Sequence, residues 1–294
     1  MAYPTEYWEA YETSASDLAE YVGVVTRLAS GWPDRRFVWR GISNADYALH
    51  SSLYRRISAS GSWAEADIVA AELRILDEAR RWALQRTATD RLSALELLAA
   101  LQHQWSPTRL LDFSHNPLVA LWFAVERKYD GGRPRTDIDG RVFVAQSNGR
   151  EIPEGWERDV DLPWGRAPRD WSDDIYVWTP PPIDGRMARQ QGCFVIGGVP
   201  SNRGGWNRSP ATTGSMIQSE IRQSVSVPIR LNSPRQLDGP TRGRPPRYPL
   251  AFTVRIPAAA KPLLREQLQR GFGYDHAMLY PDLAGFSRFA EASR

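Results

Sequence analysis

The run Pro107-Thr108-Arg109-Leu110-Leu111-Asp112-Phe113-Ser114-His115-Asn116-Pro117-Leu118-Val119-Ala120-Leu121-Trp122-Phe123-Ala124 changes period halfway, and the fold class follows from that change. Thr108 to Phe113 reads as a strand. Ser114 to Pro117 reads as a helix start, because proline lacks only an N–H that the first helical position does not use. Leu118, Leu121, Trp122 and Val125 then return at helical spacing and give one buried face. On the strand, Arg109 and Asp112 lie an odd number of residues apart and point to opposite faces, whereas Asp112 and Ser114 share one.

Upstream, residues 63–104 read as two helices. Ile68, Leu73, Ile75, Leu76 and Ala79 stripe the first; Leu92, Leu95, Leu98, Ala99 and Leu101 stripe the second, which Ser93 or Asp90 can cap. Residues 13–30 predict a further helix capped by Thr13 or Ser14. Phe37 to Gly41 predicts a short strand, continued by Leu53 to Arg56 after a loop. Downstream strands are expected at Val142–Ala145, Ile175–Trp178, Cys193–Ile196, Ser224–Leu231 and Leu250–Ile256. Ala258 to Arg270 predicts a last helix stopped by Gly271, and an apolar strand is expected just before the Pro281-Asp282 turn. Short strands mixed with helices, without clean βαβ units, indicate an α+β fold of small mixed or antiparallel sheets with packed helices. One domain is expected across 1–294, with an N-terminal helix, a helical insertion at 63–104, and long loops at 147–185 and 200–249.

Composition bounds the function. Hydrophobic residues make up 42% of the 294, enough for a substantial core. The longest apolar-rich stretch, Leu118 to Val125, is far short of the ~20 residues a bilayer crossing needs. Met1 to Glu6 shows no basic or apolar leader, and the single cysteine, Cys193, excludes an intrachain disulfide and a multi-cysteine zinc site. These features predict a cytoplasmic protein without a membrane partner. The net charge is +3, and every basic residue except Lys128 and Lys261 is arginine. Guanidinium forks suit phosphate, but these arginines are interleaved with acids along the whole chain, as high-GC coding would leave them.

Four segments carry polar groups set in apolar surroundings. In Trp39-Arg40-Gly41, an arginine closes an apolar strand, and the glycine would let backbone approach a ligand. In the run from Gln102 to Glu126, Asp112 reads either as a cap or as a site acid, and His103 and His115 are too far apart for their spacing to imply a metal pair. Arg186 to Gly192 holds two amides, Gln190 and Gln191, that lead into a strand and could meet a polar ligand. Tyr280-Pro281-Asp282 closes the chain as a packing turn.

Together these segments resemble the FRG domain family, named for a Phe/Trp-Arg-Gly step, here Trp39-Arg40-Gly41. The resemblance continues through Gln102-His103, Pro107 to Asp112, Asn116-Pro117, Arg186 with Gln190-Gln191-Gly192, and Tyr280 to Gly285, and so spans about residues 35–290. It implies a bacterial or phage protein of the kind suspected in phage defence or toxin systems. The order of parts is also similar to a diverged ADP-ribosyltransferase that uses NAD. In that fold a first-strand arginine contacts NAD, a following strand and helix with Ser or Thr shape the nicotinamide pocket, and a later strand presents a glutamate. The resemblance implies catalytic roles for Arg40, Asp112, Gln191 and Glu220. It implies NAD-binding roles for Trp39, Gly41, His103, Arg109, Ser114, Arg186 and Gln190. The sequence departs from that pattern at Gln190-Gln191, where amides stand near the place of the glutamate. A neutral amide stabilises positive charge on a ribose poorly, so Asp112 or Glu220 supplies the acid, or the chain binds a nucleotide without this chemistry.

The leading expectation is thus an NAD-dependent enzyme acting on a macromolecule, nucleic acid or protein. A non-catalytic sensor of a phage component, using exposed tryptophan-rich loops, and a nucleic-acid-cleaving toxin using His103 and Asp112 are the other readings. An antitoxin would be the natural partner of a toxin.

Overall fold

The computed structural model describes residues 8–59, 61, 64–82, 92–130, 133–135, 137–166, 171–181, 185–201, 206, 216–240 and 248–292. The chain forms β1 (Glu12–Ser14), α1 (Leu18–Gly31), β2 (Phe37–Ile42), α2 (Ser52–Ser58), α3 (Glu65–Arg81), α4 (Ala94–His103), β3 (Leu111–Ser114) and α5 (Pro117–Val125). It continues through β4 (Lys128–Asp130), β5 (Arg133–Arg135), β6 (Gly140–Gln146), β7 (Tyr176–Trp178), α6 (Gly185–Arg189), β8 (Gly192–Ile196) and α7 (Gln218–Ser224). The final elements are β9 (Ala251–Ile256), α8 (Lys261–Phe272), α9 (His276–Leu279) and α10 (Leu283–Ala292).

The α+β class holds. Instead of several small sheets, seven strands make one mixed sheet in the order β1-β9-β6-β2-β3-β8-β7, beside a two-stranded β4-β5 ribbon. Only β1 and β9 run parallel. Pairing is uneven along the sheet. β2 and β6 pair from Phe37↔Gln146 to Ile42↔Arg141, and β3 and β8 pair from Leu111↔Val195 to Ser114↔Gly192. Between β2 and β3 the register holds a single pair, Trp39↔Ser114. The sheet is therefore two halves, β1-β9-β6-β2 and β3-β8-β7, that share one register pair and then part.

Both faces of the first half are covered. Along β6, Val142 and Val144 join Trp39, Phe252 and Val254 in a core with α1, α5 and α8, while Phe143 and Ala145 join Val38, Leu49, Ile221 and Val225 on the other face. A third cluster packs Leu95 and Leu98 of α4 against Trp156, Trp164, Trp171 and Trp178. Trp156, Trp164, Trp171 and Trp178, expected in an exposed loop, are thus buried in a core.

Local chemistry explains several boundaries. Asn116 caps α5, its Oδ1 accepting from the N–H of Leu118 at 2.9 Å, with Pro117 in the first turn. Ser93 caps α4 in a capping box with Glu96. α1 starts later than expected: Asp17 is its cap, because Thr13 and Ser14 are taken into edge strand β1 beside β9. Leu53 to Arg56 lies in helix α2, capped by Ser51, and does not continue β2. Ser224 to Leu231 contributes only the bridge Leu49↔Val225 and follows an unexpected helix, α7. α8 stops at Gly273, whose φ of 70° needs glycine, not at Gly271. The tail before Pro281 is the short helix α9 instead of a strand. Residues 83–91 of the helical insertion, and 167–170, 182–184, 202–205, 207–215 and 241–247 of the long loops, lie outside the described residues. No described helix is long and apolar enough to cross a membrane.

Candidate functional site

A cleft of about 430 Å³ opens where β2 and β3 part, within the ~300–1,000 Å³ range of ligand sites. Trp39, Arg40 and Gly41 line it from β2, Asp112 and Ser114 from β3, Gln102 and His103 from α4, and Arg186 and Gln190 from α6 and the residue after it. Eight of the eleven residues proposed from sequence therefore meet in one place, with Gln102 beside them.

The Pro107-to-Asp112 run is the scaffold of this site. Buried Thr108 donates its hydroxyl proton to Gln102 Oε1, which turns the Gln102 amide nitrogen toward Asp112. That nitrogen donates to Asp112 Oδ1 at 2.7 Å. Ser52 of α2 fixes Thr108 in turn, accepting its N–H at 3.0 Å. Asp112 is thereby held while its side chain remains 67% exposed at the cleft.

Arg40 spans the gap in the sheet. Its Nη1 donates to the backbone carbonyl of Asp112 at 2.6 Å and lies 3.7 Å from the Asp112 carboxylate. Its buried Nε has no hydrogen-bond partner among the described residues. Burial pulls the Arg40 guanidinium below its ordinary value, Asp112 pushes back, and Arg55 adds repulsion. Ser114 donates its hydroxyl proton to the Gln190 carbonyl at 2.6 Å and accepts the Asn116 N–H at 2.9 Å, tying β3 to the approach of β8. The Gln190 amide nitrogen donates to the Leu279 carbonyl at 2.9 Å. Gly41 has a reason other than ligand approach: a Cβ there would sit 1.8 Å from the Ala120 carbonyl oxygen, so α5 requires the glycine.

Three of the proposed residues, Arg109, Gln191 and Glu220, lie elsewhere. Arg109 points away from the cleft from a bend before β3, which begins at Leu111 and not at Thr108 as the sequence suggested, so its direction is set by its partners and not by strand alternation. Its Nε and Nη2 grip both oxygens of Glu72 at 2.7 and 2.6 Å, its Nη1 reaches Glu65 at 2.7 Å, and Trp164 and Trp171 cover it. Burial works against the Arg109 charge, but the two glutamates outweigh it and raise its pKa. Gln191 is exposed at a φ of 46°, its carbonyl taking the His115 N–H, and its side chain does not line the cleft. Glu220 sits in the first turn of α7, where its carboxylate accepts the Ile217 N–H at 3.0 Å, and it too is outside the cleft.

The cleft also holds residues to which the sequence reading gave no ligand role. Arg55 and His50 come from α2 and the loop before it, Trp105 from the end of α4, Glu126 from the end of α5, and Tyr280 from the end of α9. His50 is held at about 4, chiefly by burial, with Arg55 opposing its protonation. Arg186 lies over the rings of Trp105 and Tyr280, at 5.1 and 4.5 Å. Glu126 is 4.0 Å from His276 Nδ1. Three guanidiniums and two carboxylates thus line a cleft with aromatic walls, a composition that favours an anionic ligand with a planar ring. Among the described residues no group of three or more His, Cys, Asp or Glu is placed to hold a metal ion.

Fold and site define an α+β protein with a polar, arginine-rich cleft at a split in its sheet. The family model of the FRG domain matches residues 35–132, and over that stretch the chain is similar to an FRG domain. The matched segment contains β2, α2 to α5 and β3, and so supplies Arg40, Arg55, Gln102, Trp105, Asp112, Ser114 and Glu126; Arg186, Gln190 and Tyr280 come from beyond it. No curated protein and no solved structure matches the chain.

Proposed function

We propose that the cleft binds NAD and that the protein transfers the ADP-ribosyl group to a macromolecule. The observation that carries this reading is the meeting of the Arg40 guanidinium, the Asp112 carboxylate and the Ser114 hydroxyl at the gap between β2 and β3. The donor set fits the ligand: Arg40 has an Nε unpartnered among the described residues, and Arg55 and Arg186 add two further cations for a diphosphate. NAD supplies an ADP-ribosyl group whose ribose–nicotinamide bond breaks with its electron pair leaving on nicotinamide, while a nucleophile on the acceptor bonds to the ribose carbon and loses its proton.

In this reading Arg40 and Arg55 neutralise phosphate charge. Asp112, held by Gln102, faces the positive charge that develops on the ribose and stabilises it. Ser114, fixed by Gln190 and Asn116, sets the wall against which the leaving ring rests. The acid is Asp112 and not Glu220 or Gln191, which lie outside the cleft. Such an activity would make the protein a toxin or a phage-defence effector, with an antitoxin or a phage component as its regulator.

The test is nicotinamide release from NAD by wild type and Asp112→Asn, with proteins and nucleic acids offered as acceptors. Release that falls about 100- to 1,000-fold in Asp112→Asn supports the proposal. No release and no labelled product with any acceptor sinks it. The neutral amide of Gln190 beside the site favours a second reading, a nucleotide-binding sensor without turnover, which the same assay separates: NAD binds and remains intact.

A further inference from the structure

We infer that the indole of Trp105 is a stacking plate for the base of a nucleotide, with Arg186 as the cation that fixes the plate and meets the nucleotide's phosphate. The inference rests on the reading of the cleft as a nucleotide site and names which side chains grip which part of the ligand.

Trp105 lines the cleft and is 45% exposed, unlike the buried tryptophans of the β3-β8-β7 half. Its backbone N–H donates to the Gln102 carbonyl at 3.0 Å. The same chain turn therefore aims Gln102 at Asp112 and sets the indole at the mouth. Trp105 has a φ of 67°, a region where glycine or asparagine sits with least strain. A large aromatic residue held there is a local conflict with backbone preference, and such conflicts concentrate at ligand sites.

The indole is not loose. The Arg186 guanidinium lies 5.1 Å from its ring centre and 4.5 Å from that of Tyr280, which itself stacks on His276 at 4.5 Å and 25°. The column Trp105, Arg186, Tyr280, His276 joins the end of α4, α6 and α9 into one wall. No carboxylate among the described residues pairs with Arg186. The two rings lie against the guanidinium, and a guanidinium's N–H groups suit an anion. An aromatic plate beside a cation with no acid partner among the described residues matches a planar base joined to a phosphate, and stacking on an aromatic side chain accepts any base.

Calorimetric titration of AMP and of ribose 5-phosphate tests this on wild type, Trp105→Ala, Trp105→Gly and Trp105→Phe. AMP affinity should fall about tenfold to a hundredfold in the alanine and glycine variants and recover in the phenylalanine variant. Ribose 5-phosphate should bind all four equally. Trp105→Gly relieves the backbone, so a loss of AMP affinity there in a protein that melts no lower than wild type marks a binding role. The inference is overturned if AMP affinity is unchanged in both truncations, if AMP and ribose 5-phosphate weaken in step, or if wild type binds neither. Base-dependent AMP binding without nicotinamide release upholds the plate and sinks ADP-ribosyl transfer. Nicotinamide release indifferent to Trp105 sinks the plate and leaves the transfer.

Discussion

Replacing Arg109 with methionine should unfold the protein well before it affects the cleft. Glu72 is 0% exposed, and both its oxygens are held by Arg109, with Trp164 Nε1 adding a third bond at 2.9 Å. Burial already pushes the Glu72 carboxyl above its ordinary value; Arg109 is the principal opposing force. Methionine fills much of the space but leaves that carboxylate with only the indole N–H, and Glu65 loses its ion-pair partner while keeping Trp171 Nε1 and the Val199 N–H. Breaking one side of a buried pair costs about 3–5 kcal/mol, which for a chain of this size lowers Tm by roughly 10 °C. Urea unfolding followed by fluorescence measures the loss. AMP titration below the transition measures binding by the folded fraction. The double variant Arg109→Met/Glu72→Leu should regain much of the stability, because removing both charges leaves none stranded. A single variant that melts like wild type yet loses AMP binding would refute the reasoning and return Arg109 to the ligand.

Gly41→Ala should cost more than about 3 kcal/mol or displace α5, since the new Cβ would overlap the Ala120 carbonyl and approach the Ala124 nitrogen; a melt within about 1 kcal/mol of wild type contradicts the packing. His50 gives a pH dependence. Its folded value of about 4 lies below the 6.5 of the unfolded chain, so the unfolded state binds more protons between those values. Stability should therefore fall as pH drops from 6.5 to 4, by at most about 3 kcal/mol from this residue, and level off below. Unfolding of His50→Asn across that window should show a shallower slope than wild type; equal slopes remove His50 as the cause.

The strand-to-helix run was legible because each step has its own local signal. Leu111 to Ser114 alternates, Asn116-Pro117 caps, and Val119 to Val125 is apolar throughout. The odd spacing of Arg109 and Asp112 assumed a strand from Thr108, but β3 begins at Leu111 and Arg109 sits in a bend before it; what turns Arg109 from the cleft is Glu72 and Glu65, 37 and 44 residues away, which carry no sequence signal. Thr13 and Ser14 look like caps because the edge strand that claims them needs β9, which is remote in the chain. The tryptophans of 156–178 look exposed in a stretch without periodicity, yet irregular backbone can bury large rings against a helix such as α4. Arg55 and Trp105 were missed for another reason: each sits in a segment whose pattern is ordinary, and only the parting of β2 from β3 brings them to Arg40 and Asp112.

Titration of ADP-ribose by calorimetry, with wild type, Arg40→Gln and Arg55→Gln, tests most directly whether the gap in the sheet is a nucleotide site. Wild type should bind. Each variant should bind about tenfold or more weakly, since a charge-assisted bond is worth ~1.5–3 kcal/mol, and affinity should fall as salt rises. A wild type that takes up no ADP-ribose at millimolar concentration, or variants that bind as tightly as wild type, would contradict the account.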